Sequence, residues 1–345
     1  MPTANFGGTG FMRRRDFLAH SIAATAAAGA ALPGVSRAQG KSPLQRINIV
    51  GTSGTTTLVM SALLDRMGYL TEQGIAPNFI NVGDGSKVVA ALVTGAADIC
   101  PQAGFTQVLA AIEKTAPLKI VAGSADKNFN AVFSGNPAVR TLKDLEGRSV
   151  GIGALGTQLH QMMIALFRRF GVDATKVRFA NVGASVDVFK AVTARVVDAG
   201  PSEVWLQHGS GLHILENGKT FESLPQYVNQ ASFSSDRAIA LKRELLVRTL
   251  AAYAKLYRFI MFGDSEAAFI AASARALGKD DPGAARAQWT FYRDIKPFAA
   301  ELGLDEERLK YMQELNVITG SQKTLLPYGK VTDMSLARDA LRLVK

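Results

Sequence analysis

Short apolar runs, each ending in a glycine- or hydroxyl-rich loop and followed by a stretch of helical period, recur from residue 47 onward. Ile47–Val50 runs into Gly51-Thr-Ser-Gly-Thr-Thr-Thr57 and a helix to about Gly68. Pro77–Ile80 ends in Asn81-Val-Gly-Asp-Gly-Ser86, and a helix follows with Val88, Ala91 and Leu92 on one face and Gly95 as its stop. Ala97–Cys100 reads as a third strand, 105–114 as a helix and Leu118–Ala122 as a fourth strand. Strands alternating with helices at this spacing predict βα units and a mostly parallel sheet.

From Arg148 the pattern repeats. Val150–Ile152 leads into Gly153-Ala-Leu-Gly-Thr157 and a helix whose apolar face is Leu159, Met162, Met163, Leu166, Phe167 and Phe170, closed by Gly171. Val177–Ala180 leads into Asn181-Val-Gly-Ala-Ser185, a helix to about Arg195, and Val196–Ala199. Asn81-Val82-Gly83 and Asn181-Val182-Gly183 follow the pairs Gly54-Thr55 and Gly156-Thr157 at similar distances, and Asp98 and Asp198 stand at the same offset from each Asn. The matches together predict two similar α/β lobes.

Polar stretches at 124–134 and 221–235 lack helical period and read as linkers between the lobes. The chain then turns helical: Leu246, Leu250, Tyr253, Tyr257 and Met261 form one stripe over 243–262, and further helices are expected near 265–277, 283–295, 304–317 and 335–344. Because the chain crosses twice, the late helices are expected to return to the first lobe. Lobe 1 is thus expected at 39–127 and 230–345, and lobe 2 at 128–229. Two linkers between two lobes make a hinge, and the cleft between them is where a ligand sits.

Composition narrows this picture. With 345 residues and 48% apolar content the chain can bury two cores of ordinary size. Residues 1–38 carry a basic start (Arg13-Arg14-Arg15), an alanine-rich apolar middle and a small-x-small site at Ser36-Arg37-Ala38, the three parts of an export signal. Arg14-Arg15 followed by Asp16-Phe17-Leu18 resembles the twin-arginine signal of bacteria, so a periplasmic location is expected. The formal charge is +10, but Lys and Arg are scattered along helices instead of lying in an aromatic-interleaved stripe, which argues against nucleic acid. The single cysteine excludes an intramolecular disulfide and a cysteine-ligated zinc site.

Candidate chemistry is sparse. Gly151, Gly153 and Gly156 spell G-x-G-x-x-G between a strand and a helix, but the next strand ends in Phe179-Ala-Asn181, without the acid that would hold a cofactor ribose. The glycines read equally well as a tight strand-to-helix turn. His160, His208 and His213 show no metal spacing with carboxylates, and no metal or cofactor is expected. Cys100, at a strand end, reads as a small buried residue or as a nucleophile at the cleft edge.

Three stretches resemble the solute-binding proteins of ABC importers, in the nitrate, sulfonate, taurine and thiamin-precursor branch. They are Asp84-Gly-Ser-Lys-Val-Val-Ala-Ala-Leu-Val-Thr-Gly-Ala-Ala-Asp-Ile99, Val139-Arg-Thr-Leu-Lys-Asp-Leu-Glu-Gly-Arg-Ser-Val-Gly151 and Leu326-Pro-Tyr-Gly-Lys-Val-Thr-Asp333. The resemblance implies a type II two-lobe periplasmic binding protein, monomeric, that closes on a small molecule and delivers it to a membrane permease with its cytoplasmic ATPase. It places the binding loops at Gly51–Thr56, Cys100–Gln102, Ser124–Asp126, Gly153–Gln158, Asn181–Gly183 and Ser202–Glu203. Within these loops Thr52, Ser53, Thr55, Gln102, Asp126, Gly156, Thr157, Gln158, Asn181 and Glu203 are the expected ligand contacts. A sulfinate-cleaving enzyme of the same fold, with Cys100 as nucleophile, is the alternative. The loops contain no arginine, and a helix N-terminus is equivalent to ~+0.5 charge, so two facing ends suit a monoanion or zwitterion such as a sulfonate or carboxylate. Glu203 would favour a ligand that also carries a donor.

Overall fold

The computed structural model of the chain describes residues 43–344. The export signal expected at 1–38 lies outside the described residues. Ten strands form two five-stranded sheets. The first holds β1 (Gln45–Thr52), β2 (Ile75–Val82), β3 (Ile99–Ala103), β4 (Leu118–Ala125) and β10 (Gln230–Ser235), in the order β2-β1-β3-β10-β4. The second holds β5 (Asn130–Ser134), β6 (Ser149–Ile152), β7 (Arg178–Asn181), β8 (Ala199–Glu203) and β9 (His213–Lys219), in the order β7-β6-β8-β5-β9.

The two orders are the same once β6–β9 are laid over β1–β4. In each sheet the strand from the other side of a lobe crossing, β10 or β5, is inserted antiparallel in fourth place. The remaining strand pairs, β1 with β2 and β3, and β6 with β7 and β8, are parallel. Even the aspartates repeat. The Asp98 carboxylate accepts the Asn48 backbone N–H at 2.9 Å, and the Asp198 carboxylate accepts that of Ser149 at 2.9 Å. Each thereby staples the start of β3 or β8 to its neighbour. Burial works against the charged form of Asp198, but the Ser149 hydrogen bonds outweigh it and hold the carboxyl below its usual range.

The polar stretches expected to be linkers are in part strand. β5 and β10 lie inside them, and β5 is buried throughout. Their apolar residues, Val132 and Phe133 in one and Ala231 and Phe233 in the other, are too few to signal a strand, and pairing on both sides supplies the rest. The crossings themselves are short, residues 126–129 and 224–229. Phe129, on the first, packs at ring distances of 5.6–6.4 Å against Trp205, Phe291, Tyr292 and Phe298.

The helices follow the apolar periodicity closely. Asp236–Phe262 buries Leu246, Leu250, Tyr253, Tyr257 and Met261 on the first sheet. Helices Glu266–Leu277, Pro282–Ile295 and Ser335–Leu341 pack with it over lobe 1. The segment 297–302 covers the free edge of β4, with Gly123 N–H donating to Leu302 O at 2.8 Å and Ala299 N–H to Ser124 O at 2.9 Å. One late helix departs from expectation. Glu306–Ile318 does not simply cover lobe 1: it packs against Phe105–Glu113 of lobe 1 and Gln158–Phe170 of lobe 2. Its Leu309, Met312 and Leu315 belong to one apolar core that includes Phe105 and Ile112 from lobe 1 and Met162 and Leu166 from lobe 2. Among the described residues no helix is long and apolar enough to cross a membrane.

Candidate functional site

Ligands of open α/β sheets lie beyond the carboxyl ends of the parallel strands, where loops lead into helix N-termini. Those N-termini differ here in one respect. The helices starting at Gly85, Asp236, Pro282 and Glu306 are capped by the side chains of Asp84, Ser235, Asp281 and Asp305. The helices Thr55–Arg66, Phe105–Glu113 and Gln158–Phe170, which follow β1, β3 and β6, start from Gly54, Gly104 and Thr157 with no side-chain cap. Their first-turn N–H groups remain available as donors.

These three ends are neighbours. A Cβ at Gly104 would lie 2.9 Å from Gln158 Oε1, so the β3 and β6 ends meet across the lobes. Gly51, Thr57, Asn81, Pro101 and Gln102 line one cavity of about 10 Å³, which joins the β1 and β3 ends. In the first loop Thr52 and Thr57 bring their hydroxyls within 3.4 Å, and the Thr56 hydroxyl stands 3.3 Å from that of Tyr292. Ser53 is exposed and donates its hydroxyl to Val82 O at 3.2 Å, while Thr55 is half-buried at the helix start. Gln102 is buried, and among the described residues its Nε2 has no hydrogen-bond partner.

The second loop is built differently. Gly156 has φ +78°, which a side chain rarely adopts, so the third glycine of G-x-G-x-x-G shapes the turn. Gly151 instead lies buried in β6, where a Cβ would crowd Val197 and Val182 at 3.1 and 3.2 Å. Gly156 N–H donates to His160 Nδ1 at 3.0 Å, and Ser321 Oγ donates to Gly156 O at 2.8 Å. Burial holds the His160 pKa below its ordinary value, in keeping with an unprotonated Nδ1 that accepts. The Thr157 hydroxyl donates to Ala154 O at 2.6 Å. Gln158 Nε2 donates to Asn229 Oδ1, on the second crossing, at 2.7 Å.

Glu203 ends β8 and is half-buried. Its Oε2 accepts the Ser185 hydroxyl at 2.7 Å, with Ser202 Oγ at 3.2 Å. The next residue but one, Trp205, packs on Phe291 and Tyr292 at 5.6 and 5.5 Å, which brings this corner of lobe 2 against lobe 1. Burial, with the Glu203 charge adding to it, raises the Tyr292 phenol above its ordinary pKa, so Tyr292 is a neutral hydroxyl. Asn181 is exposed at the end of β7. Asp126 sits on the first crossing, where Arg308 Nη1 lies 3.7 Å from its carboxylate. Burial pushes this carboxyl above its ordinary pKa, and Arg308 and Lys127 offset only part of that.

Cys100 does not face the cleft. It is fully buried in the centre of the first sheet, paired with Phe233 of β10, and burial pushes its thiol up to about 12. A thiol that stays protonated in the interior is a packing residue in this conformation. Sequence reasoning missed Tyr292, Ser185, Asn229, Ser321 and Arg308. A hydroxyl run flagged Thr56, but Tyr292 and Arg308 come from helices far along the chain and carry no local signal. Among the described residues no three His, Cys, Asp or Glu side chains gather where they could hold a metal ion.

The NMT1/THI5-like family model matches residues 63–262, more than half of the sequence. The chain belongs to that family. No curated protein matches it. Among solved structures it is similar to the periplasmic aliphatic sulphonate binding protein SsuA of Escherichia coli, with a TM-score of 0.68 at 16% identity over 85% of this chain and 92% of that one. The alkanesulfonate-binding protein SsuA of Xanthomonas axonopodis pv. citri, bound to MOPS, gives 0.63 at 16% identity over 87% and 98%. The desulfurization enzyme DSZB gives 0.60 at 14% identity over 86% and 99%. At these identities the likeness is one of fold, and the fold is that of a two-lobe periplasmic binding protein.

Proposed function

We propose that this chain is the periplasmic solute-binding component of an ABC importer and that it takes up a small organic monoanion or zwitterion in the cleft between its lobes. Residues 1–38 then serve as its twin-arginine export signal, 39–127 with 230–345 form lobe 1, 128–229 form lobe 2, and the mature monomer hands its ligand to a permease with a cytoplasmic ATPase. The observation that carries the reading is that the helix starts at Gly54, Gly104 and Thr157, which follow β1, β3 and β6 and lie beside one another, carry no side-chain cap; the starts at Ala184 and Ser265 are uncapped as well but stand outside that group. Each of the three is worth ~+0.5 charge, enough in combination for one negative charge and too little for a phosphate dianion. The sulfonate-binding names of two fold neighbours support the same ligand class.

The first loop supplies the anion contacts: Thr52, Thr55 and Thr56 with the Gln102 amide. From lobe 2 the first-turn N–H groups of the helix behind Gly156 and Thr157 close on them, since the Gly156 N–H and the Thr157 hydroxyl are held by His160 and Ala154, and Glu203 meets a donor on the ligand. Ser53, Asp126 and Gln158 leave the expected set as direct contacts, since their side chains are engaged with Val82 O, Arg308 and Asn229.

A thermal-unfolding screen with alkane- and arylsulfonates, nitrate, aromatic carboxylates and aminopyrimidines tests this. At a hundredfold excess over Kd a ligand bound only to the folded state adds ~2.7 kcal/mol, a clear rise in Tm. No rise with any compound would sink the proposal. The likeness to a desulfurization enzyme supplies a second reading, which requires turnover of a sulfinate and its loss in Cys100→Ser. Burial of Cys100 favours the opposite outcome: no turnover, and a variant that binds as the wild type does.

A further inference from the structure

The two crossings at 126–129 and 224–229 would by themselves make a free hinge. Residues 306–324 add a third connection. On the lobe 2 side, the fully buried Gln161 donates to Asn316 Oδ1 at 2.6 Å and to Met312 O at 3.4 Å, and accepts the Tyr227 hydroxyl at 3.1 Å. Ser321 holds Gly156 O of the second loop. On the lobe 1 side, the Glu113 carboxylate accepts the backbone N–H groups of Lys323 at 2.9 Å and Thr324 at 2.7 Å. Between these attachments Asn316 donates to Gln322 at 3.3 Å and Gln322 to Gln313 at 2.8 Å, so this buried polar network runs through the helix and its following turn.

Arg308 stands near the start of this helix and touches both crossings at once. Its Nη2 donates to Asp126 O on the first and reaches Tyr227 O on the second at 3.5 Å, while Nη1 pairs with the Asp126 carboxylate. A planar guanidinium with five donors can hold two chain segments in fixed relation, which a lysine point charge cannot.

Resting on the reading of a cleft that closes on its ligand, we infer that residues 306–324 are a brace across the hinge and that Arg308 is its pin, a positioning residue that sets how far the lobes part. Asp126 is then part of the hinge and not of the ligand shell. Opening must either carry the brace with one lobe, breaking its bonds to the other, or be confined to a twist about it.

The test needs no ligand. Spin labels at Lys87→Cys and Lys190→Cys, exposed positions on lobe 1 and lobe 2, report the inter-lobe distance, and buried Cys100 does not compete for label. In the otherwise wild-type chain the distance distribution should be narrow. In Arg308→Gln it should broaden or gain a longer population, Arg308→Lys should not restore the narrow form, and release of a ligand found by the thermal screen should be about tenfold faster. An unchanged distribution in Arg308→Gln, even with a lower Tm, would overturn the inference. If Arg308→Gln does not fold, Ser321→Ala with Glu113→Ala cuts the brace at its outer attachments and must give the same broadening. Failure of the ligand screen would leave the distance result standing, so the two readings fail separately.

Discussion

Loop 51–57 and loop 151–158 leave equivalent strands, β1 and β6, and enter equivalent helices without a side-chain cap, yet they use their polar groups in different ways. In the first, Thr52, Thr56 and Thr57 hydroxyls stand 3.3–3.4 Å from other hydroxyls, and Gln102 Nε2 beside them has no partner among the described residues. In the second, the Gly156 N–H and C=O, the Thr157 hydroxyl and the Gln158 amide are each committed, to His160, Ser321, Ala154 and Asn229. A repeated fold has therefore produced two unlike halves. Among the described residues the Thr52, Thr56 and Thr57 hydroxyls of the first loop pair only with one another and with Tyr292, which under the proposed function leaves them able to turn to a ligand, while the second loop is bonded to Asn229 and Ser321. On the reading proposed above, the anion falls mainly to lobe 1, while lobe 2 closes as a body whose position residues 306–324 set.

The comparison breaks most visibly at Gln161. Replacing it by leucine leaves the buried Asn316 amide and Tyr227 hydroxyl short of a partner, which costs about 2–3 kcal/mol. Urea unfolding should show that loss as a lower midpoint. A loss below about 0.5 kcal/mol would mean that the network does not hold lobe 2 to the brace.

A smaller effect separates the loops by pH. The folded-state pKa of His160 is held below its ordinary value by burial. The unfolded chain thus takes up that proton first as pH falls. The stability His160 contributes is complete above about pH 6.5, and it is lost as pH drops from there through the folded pKa. His160→Asn should flatten this part of the stability profile, and an unchanged slope would remove His160 from the wiring of the second loop. Nothing comparable is expected from loop 51–57, which holds no titratable group.

Much of this architecture was legible in the chain because it is local. The duplicated strand–loop–helix units, the stripe on Asp236–Phe262 and the offset of Asp98 and Asp198 all follow from periodicity and spacing, and the aspartates turned out to staple equivalent strands. What was hidden is non-local. β5 and β10 are short and polar enough to pass for linkers until paired strands lie on both sides of them. The helix Glu306–Ile318 has an ordinary amphipathic pattern that says nothing about which lobe it will meet. Within the site, the glycine and threonine run marked the first loop, whereas Tyr292 and Arg308 reach their partners over distances in sequence that no motif spans. Asp126 and Gln158 are expected as ligand contacts by position, and no motif announces that their side chains meet Arg308 and Asn229.

The claim that the first helix start is left uncapped for an anion is tested most directly by Gly54→Asp. An aspartate there can cap the helix and complement its dipole, so Tm should hold or rise slightly. It also puts a carboxylate where the ligand's charge is meant to lie, and at about 4 Å and an effective dielectric near 20 that repulsion costs about 4 kcal/mol. Isothermal titration of the sulfonate or carboxylate that raises Tm most should therefore show a one-to-one complex with the wild-type chain and at least about a hundredfold weaker binding to Gly54→Asp. Equal affinity for both, with an intact fold, would contradict the account.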